Sequence, residues 1–482
     1  MTSFSDIQKI HLIGVGGTGM GAFAGLLKQA GYAVTGSDTA LYPPMSHKLR
    51  DWGIPVFEGY KPENLAARVD GKPDLVVVGN VIRKDNPEAT ASREGGYNQA
   101  SFPQALGELF LAHRPSVVVS GTHGKTTTTA MTAHALHACG KEPGMLVGGI
   151  PIGFEESFRV GGKGAPFVVE GDEYDTAYWD KGPKFLHYKP NVLIITSIEY
   201  DHADIYPDVD AIERRFAELV ALVPKHGRVI AWSGSDRVKR VAAIAAERGV
   251  PVTMYGKFGQ LRAANAIQDE RGAAFDVVRD GKTEARVALR LSGMHNVDNA
   301  LAAYQVLLHF SATPQQAAEA LATFSGVKRR LEEIGEVRGV LVLDDFAHHP
   351  TAVKLTVDAA LKRYARRLEA SGGRLWAVFE PRSATSCRRV FQKEYAEAFD
   401  DADVAVISEP GRKGTIPDDQ LFQVSQLVED WKARGVDGRL WPTADEIAAK
   451  LSAEAREGDV VLLMSNGSFG GLHQKLLSAL KG

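Results

Sequence analysis

The chain has 482 residues, 44% hydrophobic and 24% charged, with 56 Lys plus Arg against 59 Asp plus Glu and a formal charge of −3. This is the composition of an ordinary globular protein of two to four domains, and it gives no reason to expect nucleic acid or an anionic membrane as partner. The two cysteines, Cys139 and Cys387, are not clustered and read as free thiols; with no signal-length apolar stretch and no apolar run approaching the roughly 20 residues of a membrane span, a cytoplasmic protein is expected.

Short apolar runs alternate along the chain with longer helical patterns, which predicts α/β architecture with mostly parallel sheets. The first unit, residues 1–114, opens with a strand over Lys9–Ile13 and turns at GVGGTG. A helix over Met20–Gln29 ends at Gly31, a second strand runs from Tyr32 through Gly36 to Asp38, and a third covers Leu75–Gly79. The second unit, residues 115–327, starts with a strand over Ser116–Ser120, a lysine-bearing turn and a helix ending near Gly140. Strands are expected at Phe167–Gly171, Val192–Ser197 and Arg228–Ser233, and a further helix starts in GMHNVDNALAA, Gly293 to Ala303. The third unit, residues 328–482, carries strands in GVLVLDD, RLWAVFE, DVAVIS and DVVLLMS. Three consecutive α/β domains are expected, the first and last Rossmann-like and the middle one of the P-loop ATPase kind.

The first glycine cluster, Gly14, Gly16, Gly17 and Gly19 with Thr18, lies between a strand and a helix that continues with Met20. Glycines at a helix start let a diphosphate approach free backbone N–H groups. Ser37 and Asp38 end the next strand, where a ribose-binding acid would sit. Alone this reads as an NAD-dependent oxidoreductase, yet the same physics serves any diphosphate, including that of a UDP-sugar. Asp38 also reads as a solvated strand-end acid.

The lysine turn is Gly121-Thr122-His123-Gly124-Lys125-Thr126-Thr127. The general phosphate-loop pattern wants a glycine at position 119, where this chain has Val119. The essential parts remain. The helix start attracts anions, Lys125 reaches the β- and γ-phosphate oxygens as a mobile charge, and the Thr126 hydroxyl suits Mg²⁺. A plain strand–helix turn with a surface lysine is the alternative.

Three downstream features favour a nucleoside triphosphate. Glu170 ends a strand in VVEGDEYDTAYWD; Asp201, His202 and Asp204 follow another in SIEYDHADIY. Carboxyl ends of strands are where open α/β sheets collect their active groups, and a carboxylate with an imidazole there suits metal ions on a triphosphate. In the third feature, His295 is placed to stack on a base while Asn296 or Asn299 hydrogen-bonds to it. Taken singly, Glu170 also reads as a loop acid, His202 as a polar loop residue, and the helix start as simply capped.

Together these stretches resemble the Mur ligase family of peptidoglycan-assembling enzymes, over essentially the whole chain. That family has a shortened G-T-x-G-K-[ST] loop, matched by Gly121–Thr126. The resemblance implies ATP and Mg²⁺, with Glu170 and His202 as metal-binding groups beside Thr126. It implies G-x-H-N-x-x-N-A at Gly293–Ala300 for the nucleotide, Arg330 in GVKRRLE for the phosphates, and Asp345 in LDDFAHHPT for the ribose. It also makes the GVGGTG site one for UDP-N-acetylmuramate. YPPMSHKL, GDEYDTAYWDK, DDFAHHPTA, FEPRSAT and MSNGSFGGLHQKL resemble the members that add L-alanyl-γ-D-glutamyl-meso-diaminopimelate, a murein tripeptide, in recycling, rather than those that add L-alanine. Ser197 stands where the family usually has Asn, and Ala384 replaces the Asn of E-P-R-S-N-T. In this reading the sugar's carboxylate becomes an acyl phosphate that the incoming amine attacks. Arg382, Ser383, Thr385, Asn466 and Ser468 are the candidates for holding the peptide, and His348 for assisting its amine beside His349. A non-catalytic sugar-nucleotide sensor would lack Lys125, Glu170 or His202, and all three are present.

Overall fold

The computed structural model describes residues 4–66, 71–411 and 416–482. Its chain divides into two compact units, the first formed by Met1–Glu199, Val209–Leu261 and Ala302–Ala320, the second by Tyr200–Asp208, Arg262–Leu301 and Leu321–Gly482.

Unit 1 holds two main sheets and a two-stranded antiparallel ribbon of Asp175–Ala177 with Asp180–Pro183. The first is wholly parallel, in the spatial order Val56–Glu58, Ala33–Asp38, Lys9–Ile13, Leu75–Val78, Gln99–Ser101. Its order reverses at Lys9–Ile13, so the crevice at the carboxyl ends opens beside the glycine turn that follows this strand. The second sheet has six parallel strands in the order Val252–Tyr255, Arg228–Trp232, Val192–Ile195, Ser116–Ser120, Phe167–Gly171 and Gly144–Leu146, with Phe158–Arg159 added antiparallel at the edge. Val117, Val118, Val119, Leu193, Ile194 and Val168 are fully buried. These strands read as unbroken apolar runs rather than alternations because helices cover both faces of a parallel sheet. The pairing Val119↔Glu170 and Ser120↔Gly171 fixes the register that brings the lysine turn beside the acids following Val169.

Unit 2 contains a third sheet, ordered Glu332–Val337, Val340–Asp345, Val460–Met464, Leu375–Phe379, Val404–Ile407, Asp437–Leu440, parallel except for the first strand. Alternate residues serve opposite faces. Leu341 and Leu343 pack with Val353, Val357, Tyr395 and Trp431, whereas Val340 and Val342 pack with Ile447, Leu451, Leu472 and Leu476. Burial of each such side chain stabilises the fold by roughly 1.5–3 kcal/mol. The same unit carries an antiparallel meander over Leu261–Asp269, Gly272–Arg279 and Lys282–Leu289, apart from Leu261 itself. Among the described residues no helix is long and apolar enough to cross a membrane.

Candidate active site

In unit 1 the strand Ser116–Ser120 delivers the chain to Gly121, whose φ is +140°. A Cβ there would lie 2.0 Å from Thr196 Oγ1 and 2.8 Å from the Ser197 nitrogen, so only glycine lets the loop pass this close to the neighbouring strand end. Gly124, at φ +77°, then turns the chain into the helix Lys125–Ala138, whose start no side chain caps. Its first N–H groups are thus available to an anion. Neighbours pin the loop on its outer side. His123 N donates to Ser197 Oγ at 3.0 Å, Thr122 N to the Ser197 carbonyl at 3.2 Å, and Glu199 N to Thr122 Oγ1 at 2.8 Å. Ser197, the departure from the family's usual Asn, therefore acts as a loop anchor through both its hydroxyl and its carbonyl.

Lys125 Nζ donates to the Gly121 carbonyl at 2.7 Å and to both oxygens of Glu173, at 3.1 and 2.9 Å. Burial alone would lower the pKa of this ammonium, but Glu173 and Asp172 hold it above its ordinary value. The Thr126 hydroxyl donates to Glu170 Oε2 at 3.2 Å, and Gly148 N donates to Glu170 Oε1 at 2.6 Å. Thr126 and Glu170 thus offer two hard oxygen donors side by side, a donor set that fits Mg²⁺. Thr127 follows in the first helical turn.

Gly148 also lines a cavity of about 670 Å³ within unit 1. Gly14, Gly16, Gly17, Thr18, Gly19, Met20 and Asp38 all line it. Asp38 is not a free ribose acid: Gly16 N donates to its Oδ2 at 2.7 Å, and Thr39 N and the Tyr60 hydroxyl donate to its Oδ1 at 2.7 and 3.0 Å. It fixes the glycine turn. Ser37 does not line the cavity. It is fully buried, and its carbonyl accepts from Gly14 N and Val15 N at 2.9 and 3.1 Å.

Unit 2 gathers the other candidates. His202 sits in the left-handed region at φ +52°, with its N–H donating to Asp201 Oδ1 at 2.7 Å. The Thr385 hydroxyl donates to the same oxygen at 2.6 Å, and Ala203 N donates to Thr385 Oγ1 at 3.3 Å. Burial acts to raise the Asp201 pKa, but His202, His348, His349 and Thr385 hold this carboxyl well below the usual range. His348 Nδ1 lies 3.0 Å from the Phe346 carbonyl, and His349 Nε2 3.1 Å from that of Tyr200. Arg330 lies over the Phe346 ring, 5.2 Å from its centroid, between two left-handed residues, Arg329 and Leu331. Asp345 accepts from Leu331 N and Ala347 N, both at 2.7 Å; its burial raises its pKa although Arg330 opposes this.

At the start of the helix Met294–His309, Asn296 Nδ2 donates to the Ser292 carbonyl at 2.7 Å, and Asn299 Nδ2 to Asn296 Oδ1 at 3.2 Å. His295 Nδ1 is buried without a partner among the described residues, and burial lowers its pKa to about 4. The ring is thus neutral at pH 7. In the glycine-rich turn after Met464, Arg329 donates to the Ser465 and Gly467 carbonyls, each at 2.9 Å. Asn466 Oδ1 is buried without a partner among the described residues, and the Ser468 carbonyl accepts from Gly471 N at 2.9 Å. Arg382 crosses this turn so closely that a Cβ on Gly467 would lie 2.4 Å from its Nε. Ser383 Oγ is spent locally, accepting from Ser386 N at 2.9 Å.

Sequence reasoning passed over two residues that the structure joins to these candidates. Glu173, which pairs with Lys125, had a signal, since it lies three residues beyond Glu170 in the same strand-end run. Arg329, which bonds the turn after Met464, adjoins Arg330, and nothing in the pattern ranks one above the other.

The family described as "Mur ligase family, catalytic domain" matches residues 9–114, "Mur ligase middle domain" residues 119–307, and "Mur ligase, glutamate ligase domain" residues 329–467. The chain belongs to the Mur ligase family and is an ATP-dependent ligase that forms amide bonds. It is 39% identical over 475 residues to the UDP-N-acetylmuramate–L-alanyl-γ-D-glutamyl-meso-2,6-diaminoheptandioate ligase of Escherichia coli strain K12, covering 98% of each chain. It is also 36% identical to the UDP-N-acetylmuramate–L-alanine ligase of Kineococcus radiotolerans, covering 98% of this chain and 96% of that one. The crystal structure of a murein peptide ligase from Psychrobacter arcticus matches with a TM-score of 0.72 at 34% identity, over 98% of this chain and 99% of that one.

Proposed function

We propose that this protein joins the amine of L-alanyl-γ-D-glutamyl-meso-diaminopimelate to the carboxylate of UDP-N-acetylmuramate at the expense of ATP. The observation that carries the reading is Glu170, which takes one hydrogen bond from the cavity wall at Gly148 and another from the phosphate loop at Thr126. A sugar nucleotide whose diphosphate lies on the Gly16–Gly19 helix start would thereby have its acid end directed toward a terminal phosphate. The carboxylate oxygen attacks that phosphorus and ADP leaves, giving an acyl phosphate. The amine nitrogen then attacks the acyl carbon, phosphate leaves, and the amine loses a proton. Lys125 and the helix start bind the triphosphate and offset its charge. Thr126 and Glu170 would hold Mg²⁺, which when bound supplies positive charge to the phosphates. His295 and Asn296 would take the base, and Arg330 and Asp345 the phosphates and ribose. Arg382 and Asn466 would take the acceptor's carboxylates, for which an arginine fork is suited.

The 36% identical relative whose acceptor is L-alanine keeps that amino acid as the second reading. Phosphate release measured with ATP, UDP-N-acetylmuramate and each acceptor, with the product weighed by mass spectrometry, separates them. The tripeptide should be much the better acceptor; equal or inverted preference removes the assignment.

A further inference from the structure

Lys184 is only 6% exposed, yet it lines the cavity that contains the glycine turn. A lysine this buried is rare unless paired. Its pair is loose, with Asp172 Oδ2 3.7 Å from Nζ. Two aromatic rings flank it, the Tyr174 ring centroid 4.0 Å from Nζ and that of Phe102 5.4 Å, while Asp175 and Glu170 act on it electrostatically. Burial lowers its pKa although Asp172, Asp175 and Glu170 oppose this, so the charged form still gains from a directly bonded anion.

A UDP-sugar acid brings two anionic groups. The glycine turn, with its uncapped helix start at Gly17–Thr18, suits the diphosphate. That leaves the carboxylate. Asp172 and Glu170 act electrostatically on both Lys184 and Lys125, so the two lysines flank one short acidic run. Lys125 belongs to the phosphate loop, whereas Lys184 faces the cavity.

On the ligase reading above, we propose that Lys184 is a substrate-binding residue that receives the carboxylate of the sugar acid and sets the preference for an acid over a neutral UDP-sugar. The aromatic walls keep the ammonium poorly hydrated, which strengthens a single charge-assisted hydrogen bond and disfavours a sugar lacking the acid.

The test is calorimetric titration of the full chain, its K184Q variant and its K184R variant with UDP-N-acetylmuramate, with the same sugar nucleotide carrying a carboxamide at the lactyl group, and with UDP-N-acetylglucosamine, which lacks the acid. Wild type should bind the acid at least about tenfold more tightly than the carboxamide. K184Q should lose about 10- to 100-fold for the acid and less than about threefold for the two neutral ligands, the scale of one hydrogen bond to a charged group. K184R should recover part of the loss. Equal losses for all three ligands, or no loss for the acid, would overturn the proposal. If K184Q does not fold, the wild-type acid-to-carboxamide ratio and K184R decide, and a wild-type ratio near one sinks it. Binding of none of these ligands by wild type, with no phosphate released, would overturn the ligase reading itself, an outcome distinct from a working ligase indifferent to Lys184.

Discussion

Thr126 Oγ1 and Glu170 Oε2 stand 3.2 Å apart, joining a helix start to a strand end across the register Val119↔Glu170. A carboxylate so placed next to a hydroxyl is an oxygen pair for a hard dication. Replacing Glu170 by Gln retains an oxygen for the Gly148 N–H but removes the charge. The Mg²⁺ concentration for half-maximal phosphate release should rise at least about tenfold, while thermal unfolding moves little. An unchanged Mg²⁺ requirement would remove Glu170 from the metal site.

Lys125 and Glu173 form a pair whose side chains are 15% and 3% exposed. Lys125→Met should lower turnover by about 10²-fold or more, the scale of one preorganised electrostatic partner. It should also destabilise the fold by a few kcal/mol, because the buried Glu173 loses the ammonium bonded to both its oxygens. The double variant with Glu173→Gln should regain much of that stability and none of the turnover. Thermal unfolding and phosphate release, run side by side, check this; recovery of both together would mean that the lysine only supports the fold.

Much of this site could be read from residue order. The strands Lys9–Ile13, Ser116–Ser120 and Phe167–Gly171 were legible because a parallel strand buried on both faces is a continuous apolar run between turn signals. The placement of the lysine turn, Glu170 and His202 at or just beyond strand ends was legible because the apolar runs before them stop there. The meander over 261–289 went unread although Asp280–Gly281, with φ of +47° and +84°, is an Asp-Gly hairpin turn between two alternating runs. What the order of residues did not carry was partnership across long separations. Nothing local in the sequence shows that Asp38 accepts from the Gly16 N–H, or that the Thr385 hydroxyl donates to Asp201, 184 positions away. Such pairs follow from tertiary register, not from local pattern.

His295 gives a pH signature. Its folded pKa is about 4 against an ordinary 6.5. Below pH 6.5 the unfolded chain takes up a proton that the folded chain refuses, so stability falls as pH drops from 6.5 to 4 and the effect levels off below that. The loss attributable to this ring is at most about 3 kcal/mol. His295→Gln should flatten the stability profile between pH 6.5 and 4 and raise the KM for ATP. Urea unfolding at a series of pH values measures the first, and an unchanged acid slope would contradict it.

Gly293 sets the position of that ring. Its φ is +95°, and a Cβ there would lie 2.5 Å from His295 Cε1 and 3.1 Å from the Ala359 Cβ. Gly293→Ala therefore combines a strained backbone with a displaced imidazole and should destabilise by about 1–3 kcal/mol. Its KM for ATP should rise while that for the sugar nucleotide stays near normal. A parallel rise in both would mean that the substitution disturbs more than the nucleotide site, whereas loss of folded protein alone would lower the apparent kcat and leave both KM values unchanged.

Thr385 tests the division between binding and support. Its hydroxyl is 2.6 Å from Asp201 Oδ1, a buried oxygen that also accepts from His202 N. Thr385→Val keeps the shape and deletes the donor, leaving Asp201 with one fewer partner in a site where an unmade hydrogen bond to a carboxylate costs about 1–3 kcal/mol. The loss should appear as a lower unfolding midpoint and a lower kcat, since His202 is positioned through the same carboxylate. The KM for the tripeptide should change by less than about threefold, because the hydroxyl is already engaged by Asp201. Thr385→Ser, which retains the donor, should recover most of the stability. If instead the tripeptide KM alone rises and stability holds, Thr385 contacts the acceptor directly and its bond to Asp201 is incidental.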